Sequence, residues 1–237
     1  MPPIKVYAHR WSSPSRAVII FCRVNKIDFE EVTVDLFKSR HRTPEFKKIN
    51  PMAQVPVIVD GRFKLFERYP TDLFSRAKIE SILDWHHSNL HFGAGTFVYY
   101  TALAPFLGFR PRPETTKHAE KSLMQSLARI ESVWLKGDAK FLLGRSHPSI
   151  ADLILVCSIM HLEVLDDDMR NRFLGGRKRI LAWIDNVKKA TSPHFEEAHV
   201  FLLEVKAQMQ SKAAAAATAA KQGGSEASSE LKFSSKL

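Results

Sequence analysis

The sequence predicts two units. An α/β domain occupies residues 1–67, a linker residues 68–74, an all-α domain residues 75–210 and a flexible tail residues 211–237. Three observations predict this. Strand and helix patterns alternate in the first segment; no strand pattern follows Ser75; and large apolar residues nearly vanish after Lys212.

Taken in order, Ile4 to Ala8 is a short strand, and Ser15 to Val24 is an apolar helix with Pro14 just ahead of it, a first-turn position for proline. Phe29 to Val34 is a second strand, and Thr43-Pro44-Glu45-Phe46 opens a short helical turn. Val55 to Val59 and Phe63 to Phe66 are strands joined through Asp60-Gly61, a tight-hairpin signal. The order is a βαβ unit followed by a hairpin. Helices are then expected at Ser75 to Leu90, Pro113 to Leu135, Ser149 to Leu165, Arg177 to Ala190 and Pro193 to Gln210. Leu123, Leu127, Ile130 and Trp134 form one apolar stripe. The helix from Ser149 is apolar nearly all round, so it is expected at the centre, and Ser149-Ile150-Ala151-Asp152 is a capping box with Asp in place of the commoner Glu. The tail AAAAATAAKQGGSEASSE cannot bury a core and is expected to be mobile, with its alanines extending the last helix somewhat.

No apolar run approaches the roughly 18 residues of a membrane span, and MPPIKVYAHR lacks the features of a secretory signal. Cys22 and Cys157 lie in separate apolar runs and read as buried reduced thiols. The net charge of +10 is spread over scattered Lys and Arg with no block of five, which argues against nucleic-acid binding and for a basic surface that attracts small anions.

Two stretches carry chemistry. In Trp11-Ser12-Ser13-Pro14-Ser15-Arg16 a serine lies between the first strand and the first helix, where backbone N–H groups and the helix dipole favour negative charge. The bland reading is that one of Ser12, Ser13 and Ser15 caps that helix. In Asn50-Pro51-Met52-Ala53-Gln54-Val55-Pro56, Val55-Pro56 enters a strand; such a pair either holds a cis bond that exposes backbone to an extended peptide or is a plain loop proline. His86, His87 and His91 read as surface histidines rather than a metal site, since no carboxylate or cysteine completes a ligand set; no metal is expected. Asp166-Asp167-Asp168 lacks a calcium-loop pattern and reads as a helix end or loop.

Together KVYA, S-x-P-S-R-A-V, the His41 loop, NPMAQVPVIVDG, KLFE, AKIESILDWHHSNL, KFLLG and PSIADL resemble the theta class of glutathione transferases in its plant form, over about residues 4–210. The resemblance implies a thioredoxin-like domain followed by a helical domain (the glutathione transferase fold), usually as a homodimer. It implies conjugation of glutathione to small hydrophobic electrophiles and reduction of organic hydroperoxides, with glutathione as co-substrate and no cofactor bound permanently. The family's serine in S-x-P is Ser12 here; it donates a hydrogen bond to the glutathione sulfur and is not a nucleophile. By the same resemblance His41 and Gln54 lie along the glycine end of glutathione, Val55 pairs its backbone with the cysteinyl unit, and Glu67 grips the γ-glutamyl end.

The chain departs from the family at Glu67. There the family has a serine and a helix of several turns, whereas here Arg68-Tyr69-Pro70-Thr71-Asp72-Leu73 follows at once, so roughly 20 residues are expected to be missing. Two origins compete: a transcript or gene reading that skipped a segment in frame, which the intact flanking motifs favour, and a true variant with weak or no activity. The alternative function is therefore an impaired member that binds hydrophobic ligands or proteins through its helical domain. Ser235-Lys236-Leu237 reads as the peroxisomal import signal, with the import receptor as a partner and the peroxisome, besides the cytosol, as the location.

Overall fold

A computed structural model describes residues 3–60, 63–65, 73–137 and 139–233. The α/β unit begins with β1 (Ile4–Ala8), α1 (Ser13–Val24) and β2 (Phe29–Thr33). β1 and β2 pair in parallel, with Ile4 opposite Phe29 and Ala8 opposite Thr33, so α1 is the crossover of the expected βαβ unit. A 3-10 turn (Arg40–Arg42) and α2 (Pro44–Ile49), capped by Thr43, lead to β3 (Val57–Asp60) and β4 (Phe63–Leu65). β3 runs antiparallel to β1, and β4 antiparallel to β3 with Asp60 opposite Phe63; the sheet order is β2-β1-β3-β4. Strand alternation gives the sheet two apolar faces. Val6 and Ala8 pack on Ile19 of α1, while Tyr7 and Val57 meet Phe46 of α2 on the other side.

The second unit is helical. α3 (Leu73–His86) passes through a π-helical stretch (His87–His91) into α4 (Phe92–Val98), and a second such stretch (Tyr99–Leu103) leads to α5 (Ala104–Phe106). α6 (Pro113–Arg129), α7 (Ile150–Ile159), α8 (Asp167–Leu174), α9 (Lys178–Thr191) and α10 (His194–Phe233) follow. α7 is the central helix the sequence predicts, with Ala151 to Ile159 buried except for Ile154. Its capping box is present: Asp152 accepts from the Ser149 backbone N–H and hydroxyl, each at 2.7 Å. Asp166 caps α8, accepting from the Met169 N–H at 2.8 Å. Cys22 and Cys157 are buried free thiols.

Four expectations need correction. The helix from residue 75 does not stop at Leu90 but continues, with its π-helical stretches, to Phe106. Gly93 is where α4 meets α6, and a Cβ there would stand 2.6 Å from the Leu123 nitrogen. Secondly, helix begins at Leu73, inside the expected linker. Thirdly, the last helix, which the alanines are expected to extend somewhat, runs on to Phe233 rather than ending near Gln210, an alanine run losing least entropy on becoming helical. Lastly, His86 and His91 are not surface residues: His86 is 2% exposed and His91 half-buried, since both sit where α3 and its π-helical extension meet α7.

Candidate functional site

Ser12 caps α1. Its φ of −68° and ψ of 121° are extended, and its Oγ accepts from the Ser15 N–H at 3.4 Å. The cap uses one lone pair and does not use the hydroxyl proton. That proton points towards the Val55 carbonyl at 3.5 Å, the long limit of a hydrogen bond, and is easily redirected. No acidic residue stands in the first turn of α1, so the helix end stays favourable to an anion.

Val55 precedes Pro56 through a cis peptide bond. The loop before it is built by Asn50, whose side chain donates to the Gln54 carbonyl at 2.9 Å and accepts from the Met52 N–H at 3.0 Å. Ala53 takes a φ of +53°, which glycine adopts more cheaply. Gln54 is left exposed and Val55 half-buried. His41 lies in the Arg40–Arg42 turn with its Nδ1 buried and unpaired; burial and the neighbouring Arg42 lower its pKa. A buried ring nitrogen without a partner is a group awaiting one. Glu67 and the terminal tripeptide 235–237 lie outside the described residues.

Ser12 and Val55 thus meet directly, while His41 and Gln54 stand on the two loops that follow β2 and α2. Missed by sequence reasoning is what lies behind Ser12. Arg16 is fully buried, and its guanidinium donates to the carbonyls of Arg10 (2.7 Å), Trp11 (2.8 Å) and Cys157 (2.6 Å). The His161 Nε2 also donates to the Trp11 carbonyl at 2.8 Å. Ser158 donates to the Ser13 hydroxyl at 3.0 Å, and the Ser158 oxygen lies 2.7 Å from His86 Nε2. Burial lowers the pKa of His86 to about 3 and that of His161 well below its usual value, and it raises the Cys157 thiol to about 11. One signal was available: Ser158 is a hydroxyl inside the otherwise apolar LILVCSIM. Among the described residues no group of three or more metal-ligating side chains gathers, and no helix is long and apolar enough to cross a membrane.

Relatives connect this geometry to chemistry. Residues 2–68 match the family described as Glutathione S-transferase, N-terminal domain, and residues 113–186 match Glutathione S-transferase, C-terminal domain. Glutathione S-transferase T1 of Arabidopsis thaliana is 52% identical over 87% of this chain and 91% of that protein; theta-1 of Mus musculus is 32% identical over 86% and 90%. Human glutathione transferase theta-2, solved with glutathione, superposes with a TM-score of 0.77 at 29% identity, over 88% of this chain and 91% of that one. The Arabidopsis T1 match runs over 224 positions but takes in 87% of these 237 residues, about 206, so about 18 positions have no counterpart here. That shortfall is close in size to the segment expected to be missing after Glu67. Two domains matched in order, at this identity and along nearly the whole relative, settle the assignment: the chain belongs to the theta class of glutathione S-transferases, in its plant form.

Proposed function

We propose that this chain binds glutathione across the Val55 backbone, with Gln54 and His41 along the glycine end. The Ser12 hydroxyl donates to the sulfur and holds it as thiolate. The thiolate is the nucleophile, and a free thiol has a pKa of about 8.5, so a donor aimed at sulfur raises the reactive fraction at neutral pH. In conjugation, sulfur forms a bond to an electrophilic carbon and the leaving group departs with its electron pair. In hydroperoxide reduction, sulfur attacks the outer oxygen and an alcohol leaves; a second glutathione then yields the disulfide and water.

The position of the Ser12 hydroxyl carries this reading. It stands at the start of α1 and donates only a long bond, 3.5 Å, to the carbonyl of the residue proposed to hold the cysteinyl unit. A hydrogen bond to a charged group contributes about 1.5–3 kcal/mol, so Ser12→Ala is expected to lower kcat/KM with cumene hydroperoxide by about 10- to 150-fold. Absence of turnover in the parent protein, or equal turnover in Ser12→Ala, refutes the proposal.

The shortfall of about 18 positions favours a second reading. In it the chain is a non-catalytic member that binds hydrophobic ligands or proteins through the helical domain. Calorimetry separates the two: glutathione binding at micromolar to low-millimolar strength supports the enzyme, and no detectable binding supports the module.

A further inference from the structure

We propose that Ser158 and His161, both in the helical domain, are positioning residues for Ser12, so that the second domain sets how strongly the first activates a thiol. This rests on the reading of Ser12 given above and deepens it.

The residues on either side of Ser12 are both held from across the domain boundary. Ser13 is tied through its hydroxyl to Ser158, and Trp11 through its carbonyl to His161. Cys157, next to Ser158, accepts from Arg16 one turn further along α1. One turn of α7 and the 3-10 segment after it therefore fix three points of the stretch from Trp11 to Arg16. The Ser12 backbone is bonded within its own segment, its N–H to the His9 carbonyl at 2.9 Å and its carbonyl from the Arg16 N–H at 3.1 Å, whereas its hydroxyl makes two long contacts, at 3.4 and 3.5 Å. The hydroxyl is thus carried by a backbone segment whose neighbouring residues, Trp11, Ser13 and Arg16, are tied to the second domain.

The proton directions close without conflict. The Trp11 carbonyl can only accept, so His161 carries its proton on Nε2. Ser158 gives its proton to Ser13, so the Ser158 oxygen accepts from His86 Nε2–H. Ser13 keeps its own proton for His91 Nδ1, 3.4 Å away. The result is one directed chain, His86 to Ser158 to Ser13 to His91, crossing from one domain to the other and back. Burial lowers the pKa of His86, His91 and His161 alike, which keeps all three neutral as this chain requires. An apolar residue at position 158 would satisfy the core of α7; a serine bonded on both sides fixes a position instead. A hydroxyl that must point at a developing charge loses much of its effect when displaced by a fraction of an ångström.

The test compares the full chain with Ser158→Ala, Ser158→Thr, Ser13→Ala and Ser12→Ala. Two quantities are read: the pH titration of the bound glutathione thiolate by its ultraviolet absorbance, and kcat/KM with cumene hydroperoxide. Ser158→Ala and Ser13→Ala are expected to move the titration to higher pH and lower kcat/KM at neutral pH by about three- to tenfold. Affinity for S-methylglutathione, which has no thiol to activate, stays within about twofold. Ser158→Thr, which keeps the hydroxyl, restores the parent titration. A parent-like titration in Ser158→Ala overturns the inference even where the urea midpoint falls, because a merely structural link would move only the latter. Should Ser158→Ala not fold, Ser13→Ala cuts the same link from the other domain and decides alone. Parent and Ser12→Ala titrating alike refutes the reading of Ser12 and this inference with it. Parent and Ser12→Ala differing while Ser158→Ala and Ser13→Ala match the parent overturns the inference only.

Discussion

At the scale of single residues, one oxygen of Ser12 serves both the backbone and the proposed substrate. A capping serine and a thiol-activating serine are the same sequence signal, because both need a hydroxyl at a helix start. The sequence alone left three serines open as the cap; the extended φ and ψ of Ser12 and its bond from the Ser15 N–H decide among them. His41 carries the pH prediction. Burial and Arg42 lower its pKa in the free protein. A carboxylate placed against it would raise that pKa, so proton uptake accompanies binding. Affinity for S-methylglutathione is therefore expected to strengthen as pH falls from about 8 to about 6, by up to about tenfold per unit of rise in the bound state. Calorimetry across that range reads it, and His41→Gln should flatten the profile. An affinity that is level or weakens towards acid removes His41 from the site.

Among the elements, those with strong periodicity or punctuation were legible from sequence: β1, α1, β2, the antiparallel pair β3 and β4, and the capped α7. The stretch from His91 to Phe106 was not, since glycine reads as a breaker while its packing use at Gly93 depends on a partner 30 residues away. Histidine burial was illegible for the same reason, because a polar residue is judged by neighbours that the local pattern does not name. The capping box also does more than its motif says. Asp152 takes four donors: the Leu142 N–H (2.8 Å) and Trp183 Nε1 (2.9 Å) on one oxygen, and the Ser149 N–H and hydroxyl (both 2.7 Å) on the other. Asp152→Asn turns one acceptor into a donor facing two donors. The expected cost is about 3 kcal/mol, or a urea midpoint lower by about 1 M or more. A midpoint lower by less than about 0.3 M would show that the carboxylate is not this hub.

For the molecule as a whole, the buried histidines set a limit on acid tolerance. The folded pKa values of His86 and His199 are about 3, and that of His161 is also well below 6.5. An unfolded histidine binds a proton below about 6.5. Between these values the unfolded state holds more protons, so the stability these groups contribute is whole above about pH 6.5 and is lost as pH falls towards 3. At pH 5 His86 and His199 each contribute a loss of about 2 kcal/mol, together about 4, a large share of an ordinary folding free energy, and His161 acts in the same direction. Urea midpoints should fall steeply between pH 7 and pH 5, and His199→Gln should fall less steeply than the parent. Equal slopes would mean that His199 is not held neutral.

The buried guanidinium of Arg16 has a consequence for cooperativity. Its three carbonyl partners come from both domains, and Ala17 and Ile20 of the same helix belong to the apolar cluster of the helical domain. Pulling the domains apart would strip partners from a charge that has no solvent and expose apolar surface on both halves at once. A partly opened species, with one domain folded and the other not, is therefore high in free energy. Although the sequence divides near residue 70, calorimetric and van't Hoff unfolding enthalpies should agree, and the chain should melt as one unit.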